Sequence, residues 1–386
     1  MRFKGGLWIL LFLAVTAAAV FWVIKGQPPP LPDRDQFRVS RLLSGNGAEG
    51  FSRAWQVRDF VFPADHGAHP AYKNEWWYFT GNLQGEGGRR FGYQLTFFRF
   101  ALTPSRPQRS SRWGTGQVYM AHFALTDVAG GRFYNFERFS RQALGLAGAE
   151  AEPFRVWLEN WSAEGSAGGF FPLHLKSGQE KVGIDLTLES DKPVVLQGEG
   201  GLSQKSDEAG NASYYYSLSR LETGGRVRIG DQTFAVEGTS WFDREWGTSA
   251  LGENQVGWDW FALQLDDGRD LIFYQLRRKD GSADPFSRGT LVEPDGGSRS
   301  LLLSEVEIEV LDTWRSSDGR ARYPARWRLR IPTEGLALDV EPLVADQEWR
   351  AAVRYWEGAV KVKGRSRGRP VGGYGYVELT GYEENP

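Results

Sequence analysis

Apolar and polar residues alternate in short runs along almost the whole chain after Phe51. The clearest runs cover 76–81, 91–100, 118–127, 182–188, 214–221 and 271–277. Successive side chains of a β-strand point to opposite faces, so a period of two indicates strands rather than helices. Glycine, asparagine and Asp-Gly pairs separate the runs, as turns between strands require. The pattern therefore predicts an all-β protein, built as an antiparallel barrel or sandwich.

Convincing helical periodicity is rare in this chain. Its best candidate is the segment 347–356, in which Trp349, Val353 and Trp356 would lie on one face of a helix. The segment 304–314 alternates like a strand instead. We therefore expect few helices in the folded part of the chain.

Three sets of similar residues recur along the chain in the same order. Phe171-Pro172 and the segment 183–189 recur 152 residues later as Tyr323-Pro324 and 335–341. A spacing of 181 residues pairs Trp77, Phe79 and 93–95 with Trp258, Trp260 and 274–276. A spacing of 135 residues pairs Gly238, Trp241 and Asp243 with Gly373, Tyr376 and Glu378. Chance similarity between single strands would not keep this order, which favours an internal duplication.

The duplication predicts two related β domains, 52–247 and 248–386. Each would begin with a Trp-rich strand and end with a strand of the pattern Gly-x-x-aromatic-x-acid. Small barrels can enclose one small ligand, and binding sites also form between domains. We expect the functional site inside a barrel or at the domain boundary.

The N-terminal region has the features of a membrane-targeting segment. The 18 residues from Leu7 to Ile24 carry no charge and follow Arg2 and Lys4. This arrangement predicts export of the remainder, with residues 1–25 as a signal anchor or signal peptide. We favour an uncleaved inner-membrane anchor and a periplasmic location. Residues 26–51 are rich in proline and glycine and are predicted to be a linker.

Charge and composition exclude several classes of protein. The chain has 46 Lys and Arg residues against 48 Asp and Glu residues, so it lacks the basic excess that nucleic-acid binding requires. It has no cysteine, which excludes disulfides, thiol nucleophiles and thiolate metal ligands. Serine-hydrolase, zinc-protease and nucleotide-binding motifs are also missing from the sequence. His66 and His69 have a metal-like spacing, but such a pair more often lies at a surface; we predict no metal and no cofactor.

Glu75 is the first candidate acid. On a strand it shares one face with Trp77 and Phe79, while Trp76 and Tyr78 share the other. If the Trp77 face points inward, aromatic surroundings would raise the pKa of Glu75 and suit it to general acid catalysis. The alternative is that Glu75 forms a salt bridge with an arginine at the mouth of the barrel.

The segment 241–247 contains two further candidate acids. Asp243 and Glu245 share a strand face with Trp241, and Arg244 points the other way. The two carboxyl groups could share a proton, with at least one pKa raised, or could form an ion-pair latch with Arg244 at the domain boundary. In 258–260, Trp258 and Trp260 share a face opposite an aspartate, which suits either a ligand wall or plain core packing.

These same motifs resemble the AttH and carotenoid 1,2-hydratase family. The resemblance covers about 52–386 and is carried by the segments 69–78, 92–95, 241–247, 257–261 and 264–268. It implies two lipocalin-like β-barrel domains in tandem. Members of the family include hydratases of isoprenoid and phenolic alkenes, relatives that shape cycloadditions, and exported bacterial proteins described as predicted secreted hydrolases.

The resemblance also implies where chemistry would take place. The hydratases are thought to protonate an alkene from a cluster of His, Trp, Tyr and Asp, in which Trp246 and Tyr274 match the aromatic members. Arg244 occupies the position where the resemblance leads us to expect a histidine. The segment 274–277 lacks the aspartate that the resemblance leads us to expect there. Asp243 and Glu245 are then the local acids.

The sequence thus predicts an exported protein that binds an apolar isoprenoid or lipid ligand and acts as a hydratase or hydrolase by acid catalysis. The predicted catalytic residues are Asp243, Glu245 and Glu75. The predicted ligand-binding residues are Trp76, Trp77, Tyr78, Trp241, Arg244, Trp246, Trp258, Trp260 and Tyr274. The alternative is a non-enzymatic carrier that passes a lipid or lipoprotein to a membrane export permease.

Overall fold

A computed structural model describes residues 47–105, 111, 113–249 and 251–383. The predicted membrane segment and most of the predicted linker lie outside these residues. Within the described ranges, no helix is long and apolar enough to cross a bilayer. The same ranges contain four short 3-10 helices, at Ala64–His66, Glu86–Gly88, Leu303–Glu305 and Pro332–Glu334.

The first antiparallel sheet has 13 strands and forms a nearly closed barrel. Its strands are β1 (Asn74–Gly85), β2 (Arg90–Ala101), β3 (Gln117–Asp127), β4 (Arg132–Arg141), β5 (Ala147–Ala151), β6 (Phe154–Leu158), β7 (Trp161–Ser166), β8 (Gly169–Gln179), β9 (Val182–Glu189), β10 (Val195–Leu196), β11 (Leu202–Gln204), β12 (Ala212–Ile229) and β13 (Gln232–Gly247). The order is β4-β3-β2-β1-β13-β12-β9-β8-β7-β6-β5, and β10 and β11 pair with β12.

The second antiparallel sheet has ten strands and forms a half-barrel. Its strands are β14 (Gln255–Leu265), β15 (Asp270–Arg278), β16 (Arg288–Val292), β17 (Ser298–Leu302), β18 (Glu307–Arg315), β19 (Arg322–Ile331), β20 (Leu336–Pro342), β21 (Glu348–Arg350), β22 (Arg354–Ser366) and β23 (Arg369–Thr380). The order is β17-β16-β15-β14-β23-β22-β20-β19-β18, and β21 pairs with β22. The all-β prediction is confirmed.

Burial on both faces explains the unusually aromatic strands. Trp77 and Phe79 on β1 point into the core of the first sheet and are fully buried. Tyr78, between them, points outward into a third apolar cluster, which contains residues of both sheets. Full burial of one such ring contributes about 2–3 kcal/mol. Strands such as β1 and β13 therefore hold the two sheets together as well as forming the barrel wall.

Two of the three repeat spacings match equivalent positions in the sheets. The repeated segments 183–189 and 335–341 lie mainly in β9 and β20, which occupy the same place in the two strand orders. Gly238 of β13 pairs with Leu83, and Gly373 of β23 pairs with Leu265. The spacing of 152 therefore fits β9 and β20, and that of 135 fits β13 and β23, whereas the pairing relates β8 to β19 by 327 − 173 = 154 positions.

For β1 and β14, the repeat spacing of 181 residues differs by one residue from the spacing that the strand pairing gives. The pairs Leu83 with Gly238 and Leu265 with Gly373 relate β1 to β14 by 265 − 83 = 182 positions. A slip of one residue moves a side chain to the other face of a strand. Accordingly Trp77 points into the barrel core, whereas Trp258, which the sequence matched with it, packs against the cluster between the sheets.

The prediction of a helix at 347–356 is also wrong. Glu348–Arg350 and the start of β22 form a hairpin, in which Trp349 pairs with Tyr355. Trp349 is fully buried and stacks on His122 of the first sheet, with 4.3 Å between ring centroids. Two short strands joined by a turn place apolar residues at three- and four-residue spacings and so imitate a helical period.

Candidate active site

An aromatic pocket lies between the two sheets, outside the core of the first barrel. Its volume is about 130 Å³, and both sheets line it. Its aromatic walls include Trp76, Tyr78 and Tyr215 from the first sheet and Trp258, Trp260 and Tyr274 from the second. Tyr78 and Trp260 meet edge to face across the boundary, with ring centroids 5.1 Å apart. Such a lining suits an apolar ligand.

Asp243 lines this pocket from β13 and is 2% exposed. Its carboxyl group accepts hydrogen bonds from Ser217 Oγ at 2.5 Å, from Trp241 Nε1 at 2.7 Å and from the Tyr215 hydroxyl. Burial raises the pKa of Asp243 to about 7, although these three donors act in the opposite direction. Near neutral pH this side chain can therefore both hold and release a proton.

Glu245 also lines the pocket, two residues further along β13. Lys205 Nζ lies 3.0 Å from its carboxylate, and the Ser213 hydroxyl donates to it. Burial alone would lower the pKa of Lys205, but Glu245, Tyr274 and Asp243 together outweigh burial and raise it. Glu245 thus has a cationic partner, which Asp243 lacks among the described residues.

Glu357 and Glu378 form a carboxyl pair on the second sheet. They lie directly opposite one another on β22 and β23, and Glu378 lines the pocket. The Tyr78 hydroxyl donates to Glu357 at 2.5 Å, and Trp258 Nε1 donates to Glu378 at 2.7 Å. Burial raises the pKa of Glu378 to about 7, and burial together with the neighbouring carboxylate raises the pKa of Glu357 well above its usual range. The pair therefore holds a proton at neutral pH.

A series of hydrogen-bonded polar side chains leads from the pocket toward the surface. His122 and Tyr355 both line the pocket, and His122 Nδ1 lies 2.6 Å from the Tyr355 hydroxyl. The other ring nitrogen, Nε2, lies 3.0 Å from Glu137 Oε2. Burial lowers the pKa of His122, so its ring is neutral near pH 7.

Comparison with known proteins identifies the family of this chain. A family model described as AttH-like matches residues 53–382. The chain belongs to the AttH-like family. The crystal structure of an AttH-type protein from Nitrosomonas europaea is 35% identical and covers 86% of this chain and all of that one, with a TM-score of 0.76.

A second solved structure shares the fold of this AttH-like chain. Kievitone hydratase from Nectria haematococca is 16% identical, with a TM-score of 0.64 over 86% of this chain and 97% of that one. At this identity the likeness concerns the fold alone. No curated protein sequence matches the chain significantly. The lipocalin-like architecture expected from the sequence is confirmed.

The pocket of the AttH-like chain brings together many of the predicted site residues. Seven of them line it: Asp243, Glu245, Trp76, Tyr78, Trp258, Trp260 and Tyr274. Trp241 lies beside the pocket, where its indole N–H donates to Asp243. In the segment 258–260, Trp258 and Trp260 face the pocket, as predicted. Asp259 lies on the opposite face of the strand and pairs with Arg277 at 2.9 Å.

Four predicted residues lie elsewhere, inside the first barrel. Glu75 is 1% exposed and contacts both Arg99 and Arg244, and the His69 amide donates to it at 3.0 Å. Although burial alone would raise the pKa of Glu75, these two guanidinium groups lower it far below its usual value. Glu75 therefore forms a salt bridge, as the alternative expected, but with two arginines inside the barrel rather than one at its mouth, and its lowered pKa does not suit a proton donor.

Arg244 belongs to this buried ion cluster rather than to the ligand pocket. Its guanidinium carbon lies 4.0 Å from the Trp77 ring centroid and 5.0 Å from that of Trp246. The alternative prediction, in which Arg244 forms ion pairs with Asp243 and Glu245, is wrong, because Arg244 points to the opposite face of β13. Trp77 and Trp246 are fully buried in the barrel core.

Sequence reasoning missed several pocket residues, among them Glu378, Lys205, Tyr215, His122 and Tyr355. A signal for Glu378 was present, because the 135-residue spacing pairs it with Asp243. Lys205 and Tyr355 lie outside every recognised motif, and the folding of distant segments alone brings them to the pocket.

Within the part of the chain that the structure describes, no group of three or more His, Asp or Glu side chains is placed to hold a metal ion. His66 and His69 point to different partners. His66 Nδ1 lies 2.6 Å from the Tyr216 hydroxyl, and His69 Nε2 lies 2.9 Å from Asp65 Oδ1.

Proposed function

We propose that this protein binds an apolar ligand, such as an isoprenoid or other lipid, in the pocket between its sheets. We further propose that Asp243 donates a proton to a carbon–carbon double bond of that ligand, so that water adds to it. The observation that carries this proposal is the position of Asp243, a buried acid with a pKa of about 7 that faces an aromatic cavity.

The proposed reaction begins with the transfer of the Asp243 proton to one alkene carbon. This forms a C–H bond and leaves a positive charge on the other carbon. A water molecule then forms a C–O bond there, and the proton that it loses returns to a carboxylate of the pocket. The faces of Trp258 and Trp260 would stabilise the positive charge, because aromatic rings attract cations.

The comparisons support this proposal at the level of fold. Kievitone hydratase, by its name a hydratase, has the same fold. The assignment of this chemistry to the present chain rests on the geometry of Asp243. The transport hypothesis, in which the protein delivers a lipid without changing it, predicts the same pocket but no reaction.

The test starts from lipids that co-purify with the protein from its own host, identified by mass spectrometry. These lipids, and related alkenes, are then incubated with the protein in water labelled with heavy oxygen. The proposal expects labelled alcohol with the unmodified protein and loss of at least about 99% of the rate in Asp243→Asn, within the 10²–10⁴-fold range of general acid catalysis. Retention of unchanged lipid by both proteins would overturn the catalytic proposal and favour the carrier.

A further inference from the structure

The pocket contains more carboxyl groups than cations. Asp243, Glu245 and Glu378 line it, and Glu357 lies directly across from Glu378. Among the described residues, Lys205 is the one Lys or Arg that lines the pocket, and Glu245 already pairs with it at 3.0 Å. The other three carboxyl groups have no basic partner in the described part of the chain.

The remaining titratable groups of the pocket do not supply positive charge. Burial lowers the pKa of His122, which keeps its ring neutral. Burial raises the pKa values of Tyr78, Tyr215 and Tyr355 well above their usual range, so these tyrosines stay uncharged hydrogen-bond donors. A ligand with a positive charge would thus meet only one competing cation.

The aromatic walls are arranged to accept a cation. Lys205 Nζ lies 4.5 Å from the Tyr274 ring centroid and 5.5 Å from that of Tyr215, so the pocket already holds one ammonium group against aromatic faces. Trp76, Trp258 and Trp260 offer further indole rings around the same cavity. Aromatic rings combined with carboxylates bind organic cations such as quaternary ammonium groups.

The carboxyl pair of Glu357 and Glu378 holds a proton that a bound cation would displace. Glu357 is fully buried, and no N–H or O–H donor of the described residues reaches its Oε2 atom. A buried acceptor without a partner lowers stability, and either a proton or a nearby positive charge relieves that penalty. The carboxyl groups of Glu357 and Glu378 form a hydrogen bond with each other, so a proton held between them relieves this penalty, and a cation bound beside Glu378 would displace that proton.

We propose that the pocket selects ligands that carry a weakly hydrated organic cation, such as a quaternary or protonated tertiary amine, over uncharged ligands of the same shape. The inference rests on the proposed function for the location of the site. It extends that function, because a pocket that binds a stable cation would also stabilise the positive charge that develops on carbon.

The first test compares two probes of nearly equal shape, choline and its uncharged carbon analogue 3,3-dimethyl-1-butanol. Isothermal titration calorimetry on the unmodified protein at about pH 8 should give a Kd for choline at least about tenfold lower. Since a bound cation favours the ionised carboxylates, choline binding near pH 7 should release protons, and repeated titrations in buffers of different ionisation enthalpy measure them. The preference should shrink as the pH falls to about 5.

The second test uses variants. Glu378→Gln and Asp243→Asn should each reduce the preference for choline at least about threefold. Glu164→Gln on β7, whose side chain is 43% exposed and pairs with Arg155 away from the pocket, should leave it unchanged. Equal affinity for the two probes, no binding of either, no proton release, or an unchanged preference in both pocket variants would overturn the inference. Preference for choline without any hydration activity would instead refute the proposed chemistry and leave the cation site intact.

Discussion

Asp243 and Glu75 are buried carboxyl groups on neighbouring strands, yet their surroundings shift their pKa values in opposite directions. Asp243 accepts hydrogen bonds from two hydroxyl groups and an indole, all uncharged, so burial dominates and raises its pKa. Glu75 contacts two guanidinium groups, which outweigh burial and lower its pKa. The first group can therefore exchange a proton near neutral pH, whereas the second acts as a permanent structural anion.

The raised pKa of Asp243 predicts how stability depends on pH. The folded protein keeps a proton on Asp243 up to about pH 7, whereas the unfolded chain loses it near the ordinary value of 3.8. The folded state is therefore favoured at low pH, and this contribution is lost as the pH rises from about 4 to about 7. Asp243→Asn removes the titrating group. The free energy of unfolding of the unmodified protein relative to Asp243→Asn should thus fall by several kcal/mol, on the order of 4, over that range.

Urea unfolding of both proteins at a series of pH values measures this difference. Asp231→Asn provides the control, because Asp231 is 89% exposed and its replacement should leave the pH profile unchanged. Parallel profiles for the unmodified protein and Asp243→Asn would show that Asp243 titrates normally.

Arg244→Gln should destabilise the fold strongly. The substitution removes one of the two cations that neutralise Glu75, which is buried in the barrel core, and breaking a buried pair typically costs about 3–5 kcal/mol. Arg155→Gln removes an exposed pair with Glu164 and should cost at most about 1 kcal/mol. Thermal and chemical denaturation measure both effects. A loss for Arg244→Gln as small as that for Arg155→Gln would contradict the structural role given to the cluster.

At the scale of the strand, glycines on β13 and β23 lie where the backbone of the neighbouring strand leaves no room for a side chain. A Cβ at Gly238 would lie 2.1 Å from the Asn82 carbonyl oxygen, and one at Gly373 would lie 2.2 Å from that of Gln264. The two glycines occupy equivalent positions in β13 and β23, opposite Leu83 of β1 and Leu265 of β14. The same steric requirement has therefore been kept in both halves.

Alanine at either glycine should force these strands apart. We expect Gly238→Ala and Gly373→Ala each to lower the free energy of unfolding by about 1–3 kcal/mol, as overpacking usually does. Gly169→Ala on β8 is the matched control, because a Cβ there meets no atom within 4 Å. Urea denaturation compares the three variants. Equal stability of all three would mean that the strands adjust without strain.

For the whole molecule, polar contacts across the boundary join the two sheets outside the pocket. Asp270 of the second sheet is fully buried and accepts hydrogen bonds from Lys192 Nζ at 2.7 Å and Arg220 Nη2 at 2.6 Å. Thr239 and Gln264 add a further hydrogen bond of 2.6 Å between the halves. None of these residues lines the pocket, so these contacts join the two sheets independently of a bound ligand.

Asp270→Asn should weaken the joint between the sheets. The substitution keeps the shape of the side chain but leaves Lys192 and Arg220 without their common anion, at an expected loss of about 3 kcal/mol. Differential scanning calorimetry should show one transition for the unmodified protein and a lower, broader or split transition for the variant. Asp231→Asn serves as the control, because its ion pair with Lys181 is exposed. An unchanged transition in Asp270→Asn would show that apolar contacts alone couple the halves.

Export is a prediction from the N-terminal sequence, which lies outside the described residues. Arg2 and Lys4 precede the apolar run and should keep the N-terminus in the cytoplasm. An alkaline phosphatase fused after residue 60 should then be active because it reaches the periplasm. Replacement of both basic residues by glutamate should reduce that activity. A fusion that remains in the cytoplasm would contradict the topology.

The alternation of apolar and polar residues was enough to predict the strands and to assign the side chains of each strand to its two faces. It correctly separated Trp77 from Tyr78 and placed Arg244 opposite Asp243, because in a β-strand these relations depend only on local geometry. It also indicated the duplication, since two of the three spacings agree with the pairing of the strands. Local sequence could not distinguish a helix from the hairpin at 347–356, because both give similar apolar spacings.

Only the tertiary structure decided which face of each strand carries the candidate site. Both faces of β1 and of residues 240–247 of β13 are buried, one against the barrel core and the other against the second sheet. The sequence therefore showed which carboxyl groups share a face but not what covers them. Glu75 meets two arginines, whereas Asp243 meets an aromatic pocket whose other wall comes from residues more than 100 positions away, such as Tyr355 and Glu378. The chemistry of a buried acid depends on these distant partners, because burial and neighbouring charge set its pKa.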